Sequence, residues 1–280
     1  MNLNNFLSYI SIIRPVNAVI TFCVVVVGAV ISIEEAYSTE KIILAGISAA
    51  LTAAAGNIIN DILDKDSDKI NHPERPIPSG RLTVKQAGIE YFILIVGACV
   101  IALFISQLAF IIVFLTSVLL FLYSNRLKKI TLLGNITVAY LTGLAFIYGG
   151  VSVNNPQAAI IPALFAFFIN LIRELVKDMQ DVGGDTIAGI KTFPIKFGIN
   201  QTKYLITFLT ILLIAFTFVP FAYKIYRIKF FVIAMIIVNP LLVYFLTLLF
   251  KDDSIKNLKK LSNILKLDMV FGLLAIYLGV

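Results

Sequence analysis

Tryptophan is absent from this chain, histidine occurs once, at His72, and cysteine only twice. Each scarcity removes a class of protein. Without Trp there is no Trp belt at a membrane interface, and a single His excludes a His-built metal site. Cys23 and Cys99 both sit inside apolar runs, so they read as small core residues and give no disulfide framework. Charge is scarce as well. Only 14% of the 280 residues are charged, against 59% hydrophobic, and mean hydropathy is +0.95. Soluble domains carry about 25% charged residues, so composition excludes them and indicates a polytopic membrane protein. Met1 to Ile13 has no basic n-region and no small-residue cleavage site, so no signal peptide is expected there. Phe6 to Ile13 is expected as a short interfacial helix.

What the chain has in quantity is apolar runs of spanning length, about 20 residues each. They place membrane helices near 16–34, 41–63, 84–104, 107–123, 131–152, 158–177, 201–220, 229–249 and 264–280, with the seam near Ser106-Gln107 the least distinct. With the N-terminus cytoplasmic, every one of the 23 basic residues except Lys41, Lys224, Arg227 and Lys229 falls on the cytoplasmic side. The net charge of +7 is then a topology signal joined to a phosphate site, and it implies no nucleic-acid partner. The expected fold is all-α: one membrane domain over 1–280, nine transmembrane helices around a central cavity, in two pseudo-related halves of about 1–125 and 126–280. The loops 64–83 and 178–200 are expected to fold over the cytoplasmic mouth as a cap, because long Gly-, Pro- and charge-rich loops between tight connections are usually functional.

Those two loops open on the same pattern. Asp61, Asp64 and Asp68 recur, 117 residues later, as Asp178, Asp181 and Asp185. At about 100° per residue, positions i, i+3 and i+7 lie within about 60° on one helix face. Six carboxylates so placed repel one another and call for cations. Mg²⁺ takes oxygen ligands and shares carboxylates with substrate phosphates, so the pattern reads as a two-sided acidic clamp for a metal–diphosphate. Asp64, Asp68, Asp181 and Asp185 are the expected metal ligands, with Asn60 a neutral oxygen donor one turn before Asp64. Asp61 and Asp178 lie one turn deeper, as further ligands or bases, and Asp66 points away into solvent. The bland alternative, solvated helix ends, explains one such cluster better than two. Arg75, Arg81, Lys177 and Lys191 lie in or beside the caps, where cations stabilise a diphosphate leaving group. At the same membrane level fall Arg14, Asn17, Tyr123, Lys128, Lys129 and Asn135, each of which also has a plain reading as positive-inside anchoring or helix-end polarity. Arg173 and Glu174 are expected to pair beneath the second motif. Among 22 Phe and 11 Tyr, most are lipid-facing or core, and a few facing the cavity could stabilise a carbocation.

Asn60-Asp61-x-x-Asp64-x-x-x-Asp68 with the later Arg75-Pro76-Ile77-Pro78-Ser79-Gly80-Arg81, and Asp181-x-x-x-Asp185 with Gly189-Ile190-Lys191-Thr192-Phe193-Pro194, resemble the UbiA superfamily of intramembrane prenyltransferases. Arg14-Pro15, Tyr123 with Lys128, and the nine-span layout extend the resemblance over nearly the whole chain. The resemblance implies two Mg²⁺ ions on the two Asp motifs, a bound prenyl diphosphate, ionisation of its allylic C–O bond and attack by a nucleophile. It makes Asn60, Asp64, Asp68, Asp181 and Asp185 the diphosphate–Mg²⁺ site, Lys128 with Arg75, Arg81 and Lys191 the neutralising groups, and Tyr123 a residue that positions or stabilises the cation. In one respect the sequence departs: four residues separate Tyr123 from Lys128 where the family motif often has three. Within the superfamily the closest likeness is to the archaeal branch that adds a second geranylgeranyl chain to geranylgeranylglyceryl phosphate. The implied partners are a polyprenyl diphosphate, a lipid-like phosphate acceptor and the bilayer, with no protein partner. Asp61 or Asp178 would take the acceptor's hydroxyl proton. An aromatic quinone precursor or a chlorin carboxylate remains an alternative acceptor. A CDP-alcohol phosphotransferase would need Gly where Lys65 stands, and an ion-coupled transporter would place its site near the bilayer midplane.

Overall fold

A computed structural model describes residues 3–34, 36–187 and 189–280. Among the described residues there are helices and no strands. The chain opens with α1 (Leu3–Ile12) and turns through Arg14 into α2 (Pro15–Ile31). Next come α3 (Thr39–Leu63), the short α4 (Lys65–Asn71), α5 (Val84–Ile105), α6 (Gln107–Asn125), α7 (Leu133–Ser152) and α8 (Ile160–Ile187). After these are α9 (Phe193–Phe197), α10 (Ile199–Phe216), α11 (Val219–Ala222), α12 (Ile228–Ile233), α13 (Asn239–Leu249) and α14 (Ile255–Gly279), with one π-helical turn at Ala234–Val238.

Seven of these stretches, among the described residues, are long and apolar enough to cross a membrane: α3, α5, α6, α7, Ile199–Ala222, Ile228–Leu249 and α14. The pair α1–α2, bent by 48°, makes an eighth if it is one span. Helix α8 overlaps the expected span 158–177, but Arg173, Glu174 and Lys177 interrupt its apolar run. The expected seam at Ser106 is a single residue. Ser106 ends α5 and caps α6, its Oγ accepting from the Ala109 N–H at 3.1 Å.

Several expectations need correction. Residues 178–187 are not loop: α8 runs on to Ile187, so the second Asp motif is helical throughout. Gly183-Gly184 does not stop the helix. Gly189 does, with φ +69, as the Ile190 N–H returns to the Asp185 carbonyl at 2.9 Å. Conversely, the first motif does not share one helix face. The helix breaks at Asp64, whose backbone (φ −93, ψ 3) separates α3 from α4, and residues 65–71 of the expected loop are helix. Helix α14 also starts earlier than the expected span at 264, at Ile255, where Ser254 Oγ caps it on the Asn257 N–H.

The contacts divide into two compact units. One holds residues 1–128 and 144–159, the other 129–143 and 160–280, so α7 contributes to both. The first is built on α3, which packs against α2, α5 and α6. Its cores gather Val25, Ala45, Ala98, Ala102 and Val113, and, beneath the first Asp motif, Ile12, Ile58, Leu82 and Ala87. In the second unit α8 and α14 pack on each other, with α10 against α8 and α12–α13 against α14, around Leu175, Ile206, Leu242, Phe245, Leu261 and Leu265.

Where lipid offers no hydrophobic drive between helices, small residues allow close van der Waals approach. Gly28 of α2 and Gly149 of α7 meet in this way. A Cβ on Gly149 would lie 2.2 Å from the Val25 carbonyl oxygen and 2.6 Å from the Ala29 nitrogen, all backbone atoms. Gly149→Ala therefore overpacks the α2–α7 crossing and is expected to destabilise the protein by about 1–3 kcal/mol. Gly272→Ala, which meets nothing within 4 Å, should be neutral or stabilising by up to about 1 kcal/mol. Thermal unfolding of both variants in detergent checks this, and equal melting temperatures would refute the close crossing.

Candidate active site

In the first unit the predicted residues come together around buried carboxylates. Asp61 and Asp68 are 2% and 4% exposed. An ionised carboxylate so enclosed needs a paired cation, and each has one. Arg14 Nη2 donates to Asp61 Oδ1 at 2.6 Å. Arg75 Nη1 donates to Asp68 Oδ2 at 2.7 Å and lies 3.4 Å from Asp61 Oδ1. One guanidinium thus spans both sides of the break at Asp64. Lys128 Nζ reaches Asp64 Oδ1 at 2.5 Å and Asn60 Oδ1 at 3.1 Å. So Lys128, despite its extra residue of spacing from Tyr123, sits on the first motif, while Lys129 is exposed.

These contacts depend on how the chain folds locally. Residues 60–64 close the last turn of α3, so Asn60, Asp61 and Asp64 project at the helix end, and the Asp64 N–H still bonds the Asn60 carbonyl at 2.9 Å. Arg14 joins α1 to α2 in the left-handed region, φ 52 and ψ 72. This conformation is uncommon for a non-glycine residue, and Pro15 restricts it further; such backbone costs on the order of 1–3 kcal/mol. Asn57 Nδ2 donates to the Ile13 carbonyl at 3.1 Å beside that corner. A cavity of about 290 Å³ opens here, lined by Arg14, Asn17, Ala53, Gly56, Asn57, Asn60, Leu120 and Tyr123. Four of the predicted residues, Arg14, Asn17, Asn60 and Tyr123, share its wall. Asn57 was missed by sequence reasoning, although it lies at i−3 from Asn60 and i−4 from Asp61, on their helix face.

Arg81 lies apart from the carboxylates. Its Nε donates to Ser79 Oγ at 2.9 Å and its Nη2 to the Glu74 carbonyl, so it folds the 73–81 loop on itself. Asp66 is solvated and pairs with Lys69 at 3.1 Å.

In the second unit the same spacing has another environment. Asn135 Nδ2 donates to Asp178 Oδ2 at 2.9 Å, a neutral amide where Asp61 has a guanidinium. Burial pushes Asp178 up to about 7, against the pull of that hydrogen bond. Burial, then the Asp181 carboxylate, push Asp185 up to about 6. Lys177 is held at 2.6 Å by Glu174, which also meets Arg173 at 3.4 Å. Lys191 is exposed, and its carbonyl accepts from Thr131 Oγ1 at 2.6 Å.

The donor set fits magnesium. It is all oxygen, carboxylate and amide, with no thiolate or imidazole among the predicted ligands. Among the described residues, no three His, Cys, Asp or Glu side chains converge into a ready cage. Magnesium is usually bound by one or two carboxylates together with substrate phosphates and water, so convergence on a bare site is not required.

Comparison with known proteins defines the class. The UbiA prenyltransferase family model matches residues 20–268, and the chain belongs to that family of prenyltransferases. Among its relatives is the digeranylgeranylglyceryl phosphate synthase of Methanothermobacter thermautotrophicus, 41% identical over 192 residues, 69% of this chain and 67% of that one. The synthase of Methanosphaera stadtmanae is 33% identical over 271 residues, covering 97% of this chain and 98% of its own. A solved structure of digeranylgeranylglyceryl phosphate synthase in membranes superposes with a TM-score of 0.87 at 33% identity, covering 99% of both chains. An Archaeoglobus fulgidus UbiA homologue solved with GPP and Mg²⁺ shares the fold, with a TM-score of 0.74 at 22% identity over 96% of this chain and 99% of that one.

The raised Asp185 gives a test at the second motif. Its folded pKa lies above the ordinary value, so ionisation is disfavoured in the folded protein. Above about pH 6 the burial of ionised Asp185, and then its repulsion with Asp181, lowers stability; as pH falls, protonation relieves this and takes away the charge that would hold a cation. Mg²⁺ should therefore raise the melting temperature at about pH 7.5 and much less at about pH 5. Asp185→Asn should shrink the gap between the two; a Mg²⁺ effect independent of pH would contradict the assignment.

Proposed function

We propose that this enzyme transfers a geranylgeranyl group from geranylgeranyl diphosphate to the free hydroxyl of geranylgeranylglyceryl phosphate, forming the second ether bond of an archaeal membrane lipid. One observation carries the chemistry: buried Asp61 and Asp68 with Asp64 are gathered with Arg14, Arg75 and Lys128 beside a 290 Å³ cavity. That is an anion site rich in both oxygen ligands and fixed cations. The acceptor is read from the relatives, since near-full-length chains at 33% identity are synthases of digeranylgeranylglyceryl phosphate.

Bound Mg²⁺, most simply two ions, supplies charge neutralisation on the diphosphate. Asn60, Asp64, Asp68, Asp181 and Asp185 would hold it. Arg14, Arg75 and Lys128 bind and orient the diphosphate oxygens and stabilise the charge that grows as the allylic C–O bond breaks. The bonding electrons leave with pyrophosphate, and Tyr123 presents its ring to the allylic cation. The acceptor hydroxyl oxygen forms the new C–O bond, and its proton passes to Asp61 or Asp178. Asn17, Lys129 and Lys191 would serve phosphate binding in supporting roles, while Asn135, Arg81 and Lys177 support the site through Asp178, the 73–81 loop and Glu174. Nine spans with a cytoplasmic N-terminus would put both Asp motifs and their capping segments on the cytoplasmic side, in agreement with the Lys and Arg distribution.

Purified protein with Mg²⁺ and labelled geranylgeranyl diphosphate, offered geranylgeranylglyceryl phosphate or 4-hydroxybenzoate separately, should alkylate only the glyceryl phosphate. Product with the aromatic acid alone would retain the donor chemistry and overturn the acceptor. Asp64→Ala and Asp181→Ala should each lower kcat by about a hundred- to a thousandfold, the scale of losing a principal charge-stabilising group, while the protein still folds. Full activity in either variant, or in excess chelator, would sink the magnesium assignment.

A further inference from the structure

The corner between α1 and α2 holds its shape against local preference. Arg14 is left-handed immediately before a proline, and the α1 helix has already ended at Ile12. The Ile13 carbonyl therefore needs a partner beyond ordinary helix bonding. The partner comes from another helix: Asn57 of α3, 44 residues away in sequence, donates its amide at 3.1 Å. Ile12, 1% exposed, packs with Ile58, the next residue after Asn57, and fixes the same junction from its apolar side. From this corner the Arg14 guanidinium reaches Asp61 at 2.6 Å while staying 34% exposed on the cavity wall.

We infer that Asn57 is the positioning residue for Arg14: its amide pins the Ile13–Arg14 corner so that the guanidinium stands on the cavity wall ready for an anionic ligand. This rests on the cavity receiving a diphosphate, as proposed above. Asn57 touches no reacting atom in this role. It sets the backbone from which a binding residue projects, and its own side chain forms the adjoining piece of the wall. The pin also explains why a strained residue persists here. An outlier of this kind survives when its surroundings over-determine it, and Asn57, Ile12 and the Arg14–Asp61 pair supply three constraints from three directions.

Two readouts test the inference on the full chain in detergent. The first is hydrogen exchange at the start of α2, where the Asn17 and Ala18 amides donate to the Arg14 carbonyl at 2.9 and 3.3 Å. Asn57→Ala should speed their exchange by about tenfold, the scale of one hydrogen bond, while amides of α3 from Ile42 to Ala55 keep their wild-type rates. The second is calorimetric binding of inorganic pyrophosphate with Mg²⁺ to Asn57→Ala, Arg14→Ala and the double variant. Asn57→Ala should weaken binding about tenfold, and the double variant should bind as Arg14→Ala alone, because a positioning residue has nothing left to position. Additive losses in the double variant, or unchanged exchange at Asn17 and Ala18, would overturn the assignment. If the wild-type protein itself fails to bind pyrophosphate, the diphosphate reading of the cavity falls, and the exchange experiment still decides whether Asn57 pins the corner.

Discussion

Negative charge buried at the end of a membrane helix is the constraint that organises the first unit. Asp61 and Asp68 have almost no access to water, and an unpaired carboxylate there would be untenable at neutral pH. Arg14 must therefore come from the α1–α2 corner and Arg75 from the loop beyond α4. Once one guanidinium serves both Asp61 and Asp68, the break at Asp64 and the path of residues 72–82 are tied to the end of α3. Leu82, 2% exposed, completes the tie from the apolar side by joining Ile58 and Ala87.

The two aspartate motifs solve the same electrostatic problem with different chemistry. In the first, guanidinium and ammonium groups lie against the carboxylates. In the second, Asp178 has a neutral amide from Asn135, while burial, and then the Asp181 carboxylate, disfavour the ionised form of Asp185. Identical spacing thus gives a cluster paired with cations in one unit and one paired with a neutral amide at Asp178 in the other. The side chains against the first motif are therefore cationic, and the one against Asp178 is neutral.

The apolar remainder serves this chemistry by geometry. Backbone-to-backbone contact at Gly28 and Gly149 brings α2 close to α7, and the Ser48–Tyr148 hydrogen bond, 2.6 Å, ties α7 to α3 on the same side. The helix that starts at the Arg14 corner and the helix that carries Asp61 in its last turn are therefore both held to α7. Large exposed side chains such as Phe92, Phe104 and Ile236 face outward, as expected of surfaces that meet lipid tails.

Composition and pattern determined much by themselves. Helical spans can be read from apolar runs because every backbone polar group in a bilayer must be satisfied within its own helix. The repeated Asp spacing marks the candidate site because carboxylates at membrane helix ends are costly and call for partners. Tertiary structure decided what depends on partners distant in sequence: that Lys128 meets Asp64, that Arg75 bridges Asp61 and Asp68 while Arg81 folds onto its own loop, and that Asn57 reaches Ile13. It also decided where helices stop. The Gly183-Gly184 pair has the composition of a break yet stays in α8, whereas Asp64 interrupts a run with no Gly or Pro near it. Local propensities there differ by about 1 kcal/mol or less per residue, and ion pairs and packing, which sequence spacing does not reveal, outweigh them.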